Sequence, residues 1–214
     1  MNRGHEHVEG TERLEMFSDG VFAIAITLLI IEIGVPVLGS DESLSEALWD
    51  LWPEIGAYAL SFLTIGIYWA NHNALFRLFL RTDHVFLILN VFFLMCIAFI
   101  PFPTAVLGEY LDNADERKAA VAFYTSGLLL PAFSWFCVWL YGNWHELVDE
   151  RLDPAYVRLL TIQYVASVSL YLIALAVSLI EPYVALAITV GFTMLYMLPP
   201  RARRYQPVSG DDEL

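Results

Sequence analysis

Cysteine is scarce in this sequence. The 214 residues include only Cys96 and Cys137, and both lie within apolar segments. Two isolated cysteines in such surroundings exclude a disulfide framework and a cysteine-based metal site. We therefore expect two reduced thiols that pack against their neighbours.

Positive charge is scarce as well. The chain has 11 Lys and Arg residues against 24 Asp and Glu residues, for a formal net charge of −13. This balance argues against nucleic acid as a partner, because the phosphate backbone requires a basic surface. It is compatible with a protein that attracts cations.

Charge of either sign is rare along most of the chain, since charged residues make up 16% and hydrophobic residues 58%. This composition is typical of a polytopic membrane protein. Apolar runs of about 20 residues, long enough to cross a bilayer, fall near residues 14–36, 54–76, 84–107, 119–141, 157–180 and 182–199. The runs lack the period-2 alternation of a barrel. The sequence therefore predicts an all-α membrane protein with six transmembrane helices.

Basic residues are divided unequally between the two sides of this six-span plan. Only Arg117 and Lys118 fall on one side. The other side carries nine arginines: Arg3, Arg13, Arg77, Arg81, Arg151, Arg158, Arg201, Arg203 and Arg204. By the positive-inside rule, both termini are predicted to be cytoplasmic. We expect the protein to lie in the plasma membrane.

The longest loop, near residues 37–53, is predicted to lie outside and to contain a short amphipathic helix. It carries four acidic residues and no basic residue: Asp41, Glu42, Glu46 and Asp50. Either the acidic loop attracts cations or it is simply a solvated loop, and the sequence leaves both interpretations open.

The first span, RLEMFSDGVFAIAITLLIIE over residues 13–32, is the most informative segment. Polar or ionisable groups interrupt its apolar sequence at Arg13, Ser18, Asp19, Thr27 and Glu32. Such groups are costly at membrane depth, so they usually face a partner or water. This helix is therefore the first candidate for an ion or substrate path.

Three branched aliphatic residues of this span, Ile24, Leu28 and Ile31, are spaced so that they share one helix face, with Thr27 beside them. If several copies of the helix met at an axis, these side chains would form stacked rings that gate by dewetting, and Thr27 could offer oxygen ligands. Ordinary packing in a helix bundle is the simpler explanation from the sequence alone.

The polar groups of the first span require partners on other elements. Arg13 and Asp19 are six residues apart and do not stack on one face, so each is expected to pair with another helix or subunit. The second span offers Trp69, His72 and Asn73. The imidazole and the carboxamide could bond Asp19 or Ser18, and the indole could donate its N–H. We predict a polar network that holds the helices together.

A longer pattern, Arg-x3-Phe-Ser-Asp-x7-Thr-x4-Glu, joins these residues. It is met by Arg13, Phe17, Ser18, Asp19, Thr27 and Glu32. The second span adds the segment Tyr68-Trp69-x2-His72-Asn73. With these motifs the chain resembles bacterial members of the transmembrane protein 175 family of potassium channels, whose animal member works in endosomes and lysosomes.

The resemblance implies a six-helix subunit with neither a pore loop nor a TVGYG filter, and this sequence contains no TVGYG. Bacterial members have one six-helix unit per chain and form tetramers, so it implies a homotetramer in which the first helix lines a central pore. We accordingly divide the chain into a polar cytoplasmic segment, a six-helix channel domain and a cytoplasmic tail, over residues 1–12, 13–200 and 201–214.

The resemblance also implies roles for individual residues. Ile24 matches the pore constriction, with Leu28 and Ile31 on the following turns, and Thr27 matches a threonine implicated in selectivity. The polar network that it implies contains Arg13, Ser18, Asp19, Trp69 and His72. Our predicted network also includes Phe17 and Asn73. The family often has two adjacent histidines in the second helix, whereas this chain has an asparagine at the second position.

The function expected from these features is passive conduction of potassium ions through the membrane. The alternative is a proton-coupled or proton-conducting secondary transporter, which Asp19 and His72 motivate, although the inverted repeats typical of transporters are not visible. An enzyme is not expected, because His145 and Glu146 lack the second histidine of an HExxH motif. We expect no cofactor or bound metal, and as partners only permeant potassium ions, membrane lipid and other copies of the chain.

Overall fold

The computed structural model describes residues 6–39, 43–197 and 205, with side chains from Arg13 onward. Regular structure in these residues is helical apart from two isolated β-bridges. The helices are α1 (Glu6–Leu28), which continues into a 3₁₀ turn (Leu29–Glu32), α2 (Leu44–Asp50), α3 (Trp52–Phe76), α4 (His84–Phe99), α5 (Pro101–Tyr110), α6 (Arg117–Trp144), α7 (Pro154–Ser178) and α8 (Pro182–Tyr196). Arg3, Asp41, Glu42, Arg201, Arg203 and Arg204, used in the orientation and loop arguments, lie outside the described residues.

Among the described residues, four helical segments are both long enough and apolar enough to cross a membrane: Arg13–Glu32, His84–Tyr110, Arg117–Trp144 and Pro154–Ser178. The other two predicted spans differ from these. The 25-residue α3 has the length, but the polar run from Asn71 to Asn73 lowers its apolar character. The 15-residue α8 would measure about 22 Å, less than the hydrocarbon core. A plan of six spans therefore remains a prediction.

The third predicted span, 84–107, is not one continuous helix. It is divided at Ile100 into α4 and α5. Pro101 and Pro103 lack the N–H groups that would continue the α-helical ladder. Ile100 keeps helical backbone angles, and the N–H of Thr104 bonds its carbonyl oxygen at 3.1 Å. The two helices thus form one interrupted segment.

Local capping explains where several helices begin. The short helix expected in the loop 37–53 is α2, which starts with a capping box formed by Ser43 and Glu46. Asp83 precedes α4 and accepts a hydrogen bond from the backbone N–H of Phe86. Asp153 caps α7 in the same way, with a proline at the first helical position.

The core is built largely from aromatic side chains around α6, which packs against α4, α5, α7 and α8. Its largest fully buried members are Trp139, Tyr124, Phe22, Phe76, Phe86 and Phe93. Of the four apolar segments, α6 is the most buried, whereas α7 and the first segment are the least. Much of α1 is therefore left uncovered within a single subunit.

Candidate functional site

The first helix has two different faces. Buried residues recur every three or four positions and point into the core: Leu14, Ser18, Phe22, Ala25 and Leu29. The predicted constriction residues lie on the other side, where Ile24, Leu28 and Ile31 are 61%, 41% and 71% exposed. Large aliphatic side chains in this setting contact either lipid or another copy of the chain.

Thr27 is exposed beside these residues. Its hydroxyl donates within its own helix, with carbonyl oxygens at 3.0 Å on Ala23 and 2.9 Å on Ile24. The proton is thus occupied, while the hydroxyl oxygen can still accept from water or approach a cation. In contrast, Ile26 is half-buried and packs against the core.

A chain of buried hydrogen bonds fastens α1 to α3 and α4. The Ser18 hydroxyl donates to the Leu14 carbonyl at 2.8 Å and accepts from Asn90 Nδ2 at 3.2 Å. Asn90 Oδ1 lies 3.0 Å from His72 Nε2. An amide oxygen can only accept, so this geometry assigns the proton to Nε2 of His72. Sequence reasoning missed Asn90, although an asparagine within the otherwise apolar α4 was a usable signal.

His72 is enclosed by aromatic rings. Its imidazole stacks on Phe76 at a centroid distance of 4.1 Å and on Phe93 at 5.9 Å. Phe22 of α1 meets it edge-on at 5.5 Å, and Trp135 of α6 lies at 5.8 Å. The imidazole is 2% exposed as a result, and its position is set by packing as well as by Asn90.

A second polar contact joins the same helices nearer the surface. The indole Nε1 of Trp69 donates to Asp19 Oδ1 at 2.8 Å. Trp69 is 46% exposed and Asp19 is also exposed. A carboxylate at this depth therefore has a partner on α3.

The predicted polar network is thus two separate groups within one subunit, and three of its predicted members belong to neither. Arg13 is exposed and has no ion pair within the part of the chain that the structure describes. Phe17 is 56% exposed. Their spacing places both on the same face as Ile24, which turns them away from α3 and α4. Asn73 is half-buried, and no side-chain hydrogen bond joins it to another described residue.

Acidic side chains gather where the 3₁₀ turn ends. Glu32, Glu54 and Glu109 line a cavity of about 280 Å³, and one carboxylate oxygen of Glu54 is buried without a hydrogen-bond partner. The described residues contain no group of His, Cys, Asp or Glu side chains arranged to hold a metal. The cluster therefore contributes negative potential at one end of α1.

Known proteins are similar to this chain in sequence and in fold. The family model described as endosomal/lysosomal potassium channel TMEM175 matches residues 13–101, the part that holds both hydrogen-bonded groups. A potassium channel of Chamaesiphon minutus is 38% identical over 195 residues, which cover 90% of this chain and 96% of that protein. The chain belongs to the TMEM175 family.

A second relative and a solved structure are also similar to this chain. A potassium channel of Streptomyces collinus is 41% identical over 157 residues, which cover 71% of this chain and 74% of that protein. The crystal structure of a lysosomal potassium-selective channel TMEM175 homolog from Chamaesiphon minutus superposes with a TM-score of 0.79 at 37% identity, covering 89% of this chain and 97% of that one. The chain is therefore an all-helical, multi-pass membrane protein.

An animal relative carries a different description. The endosomal/lysosomal proton channel TMEM175 of Gallus gallus is 32% identical over 151 residues, which cover 67% of this chain and 30% of that protein. Members described as potassium channels and as proton channels thus share this part of the chain.

Proposed function

We propose that this chain is the subunit of a potassium-permeable channel that conducts passively across the cell membrane. The observation that carries the proposal is the uncovered face of α1. It presents Ile24, Leu28 and Ile31 while Ser18 and Asp19 fasten the opposite side of the helix to α3 and α4. A helix held in this way can offer one fixed face to an axis. The relatives that are described as potassium channels support the same function.

Four copies of a six-helix subunit around a central axis are the proposed assembly. Each chain has one Phe-Ser-Asp motif and one such face, so a closed pore requires cyclic symmetry. Arg13 and Phe17 lie on the face that would turn toward the axis or a neighbouring copy. Contact with another copy would give the Arg13 guanidinium the partner that it lacks among the described residues.

The proposed barrier to ions is a ring of aliphatic side chains. Four copies of Ile24 would make a narrow, dry constriction, with Leu28 and Ile31 on the next turns, and such a ring gates by dewetting. Thr27 would supply an oxygen close to the ring, where it could contribute to selectivity. Potassium ions would be the only bound species that this function requires.

The distribution of charge supports cation permeation and an orientation. Glu32, Glu54 and Glu109 would lie near one mouth of the pore and raise the local cation concentration. The basic residues at the opposite end of the spans include Arg77, Arg81, Arg151 and Arg158. The positive-inside rule then places both termini in the cytoplasm and the acidic mouth outside.

Proton conduction is the second candidate. It is favoured by the relatives described as proton channels and by a carboxylate, Asp19, that is exposed on α1. The enclosed imidazole of His72 is less suited to relay protons, because its Nε2–H is bonded to Asn90 and its ring is sealed by aromatic side chains.

Recording from purified protein in a planar bilayer tests the proposal. Unitary currents should appear, and their reversal potential should follow the potassium gradient when potassium and sodium are unequal across the membrane. Empty bilayers are the control. A reversal potential that follows only an imposed pH gradient would favour the proton channel, and the absence of unitary current would favour a transporter.

A further inference from the structure

A cavity of about 80 Å³ lies between α3, α6, α7 and α8, and none of the described side chains of α1 lines it. Its walls are rich in aromatic side chains, among them Tyr68, Trp135, Tyr164 and Tyr171. It is therefore separate from the uncovered face of α1 and from the acidic cavity near Glu54. The channel function proposed above gives this space no role.

The lining indicates what kind of molecule fits. Every described residue around the cavity is uncharged, and the polar groups are hydroxyls and carboxamides such as those of Thr64, Asn71 and Ser167. An anionic ligand would find no positive charge there to offset its desolvation, and the negative faces of the aromatic rings would repel it. Mostly apolar walls with a few hydrogen-bonding groups are typical of sites for small neutral molecules.

An unpaired carboxamide stands at the edge of the cavity. Gln163 lines it from α7 and is exposed. Its side chain has no hydrogen-bond partner within the part of the chain that the structure describes. Gln163 is nine residues after the start of α7 at Pro154, or about 14 Å along the helix axis. An exposed amide at this depth in an apolar helix gains substantially from a hydrogen-bonding partner.

The cavity touches the packing that holds α1. Trp135 forms part of its wall, and the same ring lies 4.9 Å from Phe93 and 5.8 Å from His72 between centroids. Tyr68, also in the wall, precedes Trp69, the donor to Asp19. A molecule in the cavity would therefore contact side chains that pack against, or adjoin, both hydrogen-bonded groups that hold α1: the one through His72 and the one through Trp69.

We propose that this cavity binds a small neutral amphiphile, an aromatic body with one hydroxyl group that enters from the lipid phase, with Gln163 as its hydrogen-bonding partner. Binding shifts the ring packing at Trp135 and so changes the current. This second effect rests on the proposed channel function, whereas binding itself does not.

The test uses 4-fluorophenol as the probe and the full-length protein in lipid nanodiscs. Binding is followed by the fluorine NMR signal of the probe, with empty nanodiscs as the baseline for partition into lipid. We expect saturable binding of 4-fluorophenol and binding about fivefold weaker for fluorobenzene, which lacks the hydroxyl. The anion 4-fluorobenzoate should show no saturable binding.

Two substitutions and a matched control locate the site. Ala74→Phe places a ring in the cavity from α3 and should weaken binding at least tenfold, on the order of 1.4 kcal/mol. Ala166→Phe, at an exposed position of α7 outside the cavity lining, should bind as the unchanged protein does. Gln163→Leu should weaken binding about fivefold. Because Gln163→Leu alters an exposed side chain, it still tests the site if the Ala74→Phe protein does not fold.

Binding and current are read separately. Saturable binding that Gln163→Leu weakens supports the site even if the protein gives no current, so the two proposals can fail independently. Probe signals equal to those of empty nanodiscs would overturn the site. So would unchanged binding in both Ala74→Phe and Gln163→Leu, or tighter binding of 4-fluorobenzoate than of the phenol. Saturable binding with no change in current would overturn the regulatory effect alone.

Discussion

The indole Nε1 of Trp69 and the carboxylate of Asp19 are joined by a 2.8 Å hydrogen bond between α3 and α1. The contact lies near the surface of the subunit, whereas the parallel link through Asn90 is fully buried. These two hydrogen-bonded contacts, one near the surface and one buried, fix the rotation of α1 about its own axis. That rotation decides whether Ile24 points away from the subunit.

Removing the indole donor should loosen this attachment. Trp69→Phe keeps an aromatic ring but leaves Asp19 without its partner, and we expect about 1 kcal/mol lower stability. The midpoint of thermal unfolding in detergent measures the effect. Trp144→Phe is the matched control, because Trp144 is 72% exposed and donates to no other described residue. Equal midpoints for the two variants would mean that the bond to Asp19 contributes nothing.

Breaking the buried chain should cost more. Asn90→Leu leaves the Nε2–H of His72 without its acceptor, and an unsatisfied buried donor costs about 1–3 kcal/mol. Ser18 also loses the bond that it accepts from Asn90 and keeps only its bond to the Leu14 carbonyl. We expect loss of the assembled oligomer on size-exclusion chromatography. Asn73→Leu, at a half-buried position with no side-chain hydrogen bond among the described residues, should assemble normally. Normal assembly of Asn90→Leu would contradict a structural role for the chain.

The sequence predicts those features of the site that depend on neighbouring residues, and it does not predict contacts between residues far apart in the chain. Helical spacing alone separates Ile24 from Ile26, and the cost of polar groups in lipid identifies Ser18 and Asp19 as residues that need partners. The partners themselves depend on tertiary packing: Asn90 lies 72 residues from Ser18 in the chain. No local pattern reports a contact at that distance, so Asn73 was chosen where the structure uses Asn90.

The helix plan shows the same limit. The prolines at positions 101 and 103 were visible in the sequence, yet hydropathy alone predicts one uninterrupted span across them. The described part of α8 is shorter than a full span, and hydropathy alone does not show where a helix ends, so the sixth span stays a prediction. Arg13 was expected to join the network from its charge, but its register on α1 turns it toward the uncovered face.

Close helix packing should make one glycine sensitive to substitution. A Cβ atom on Gly108 of α5 would lie 2.9 Å from the Cα atom of Glu54 on α3. Backbone cannot yield as a flexible side chain does, so Gly108→Ala should destabilise the fold by about 1–3 kcal/mol. A Cβ atom on Gly56 of α3 would have no neighbour within 4 Å, so Gly56→Ala should be neutral or slightly stabilising. Thermal unfolding compares the two, and a stable Gly108→Ala would show that α3 and α5 can separate freely.

The cap of α4 should weaken in acid. The backbone N–H of Phe86 holds the pKa of Asp83 below its ordinary value of 3.8, and the Tyr141 hydroxyl adds to this. A lowered folded-state pKa means that the carboxylate stabilises fully above pH 3.8 and loses this contribution as pH falls through the lower value. Asp83→Asn should therefore lower the unfolding midpoint at neutral pH, with a smaller difference below pH 3.8. A difference that does not change with pH would exclude the charge as its cause.

The uncovered face of α1 gives the sharpest test of the pore. Ile24→Asn should raise conductance, because its amides can solvate ions where four isoleucines would keep the constriction dry. It should also move the reversal potential in unequal potassium and sodium toward zero, since an amide oxygen can bind either ion once the ring widens. Leu28→Asn and Ile31→Asn should act in the same direction but less.

Ile26→Asn is the matched control for the pore face, because it makes the same chemical change in the same helix two residues away. Ile26 packs against the core, so its substitution should lower the yield of folded protein and leave the selectivity of the surviving channels unchanged. Single-channel conductance and reversal potential, measured variant by variant, separate loss of folding from change in permeation. If Ile26→Asn shifts the reversal potential while Ile24→Asn does not, α1 faces the axis with its other side and the constriction lies elsewhere.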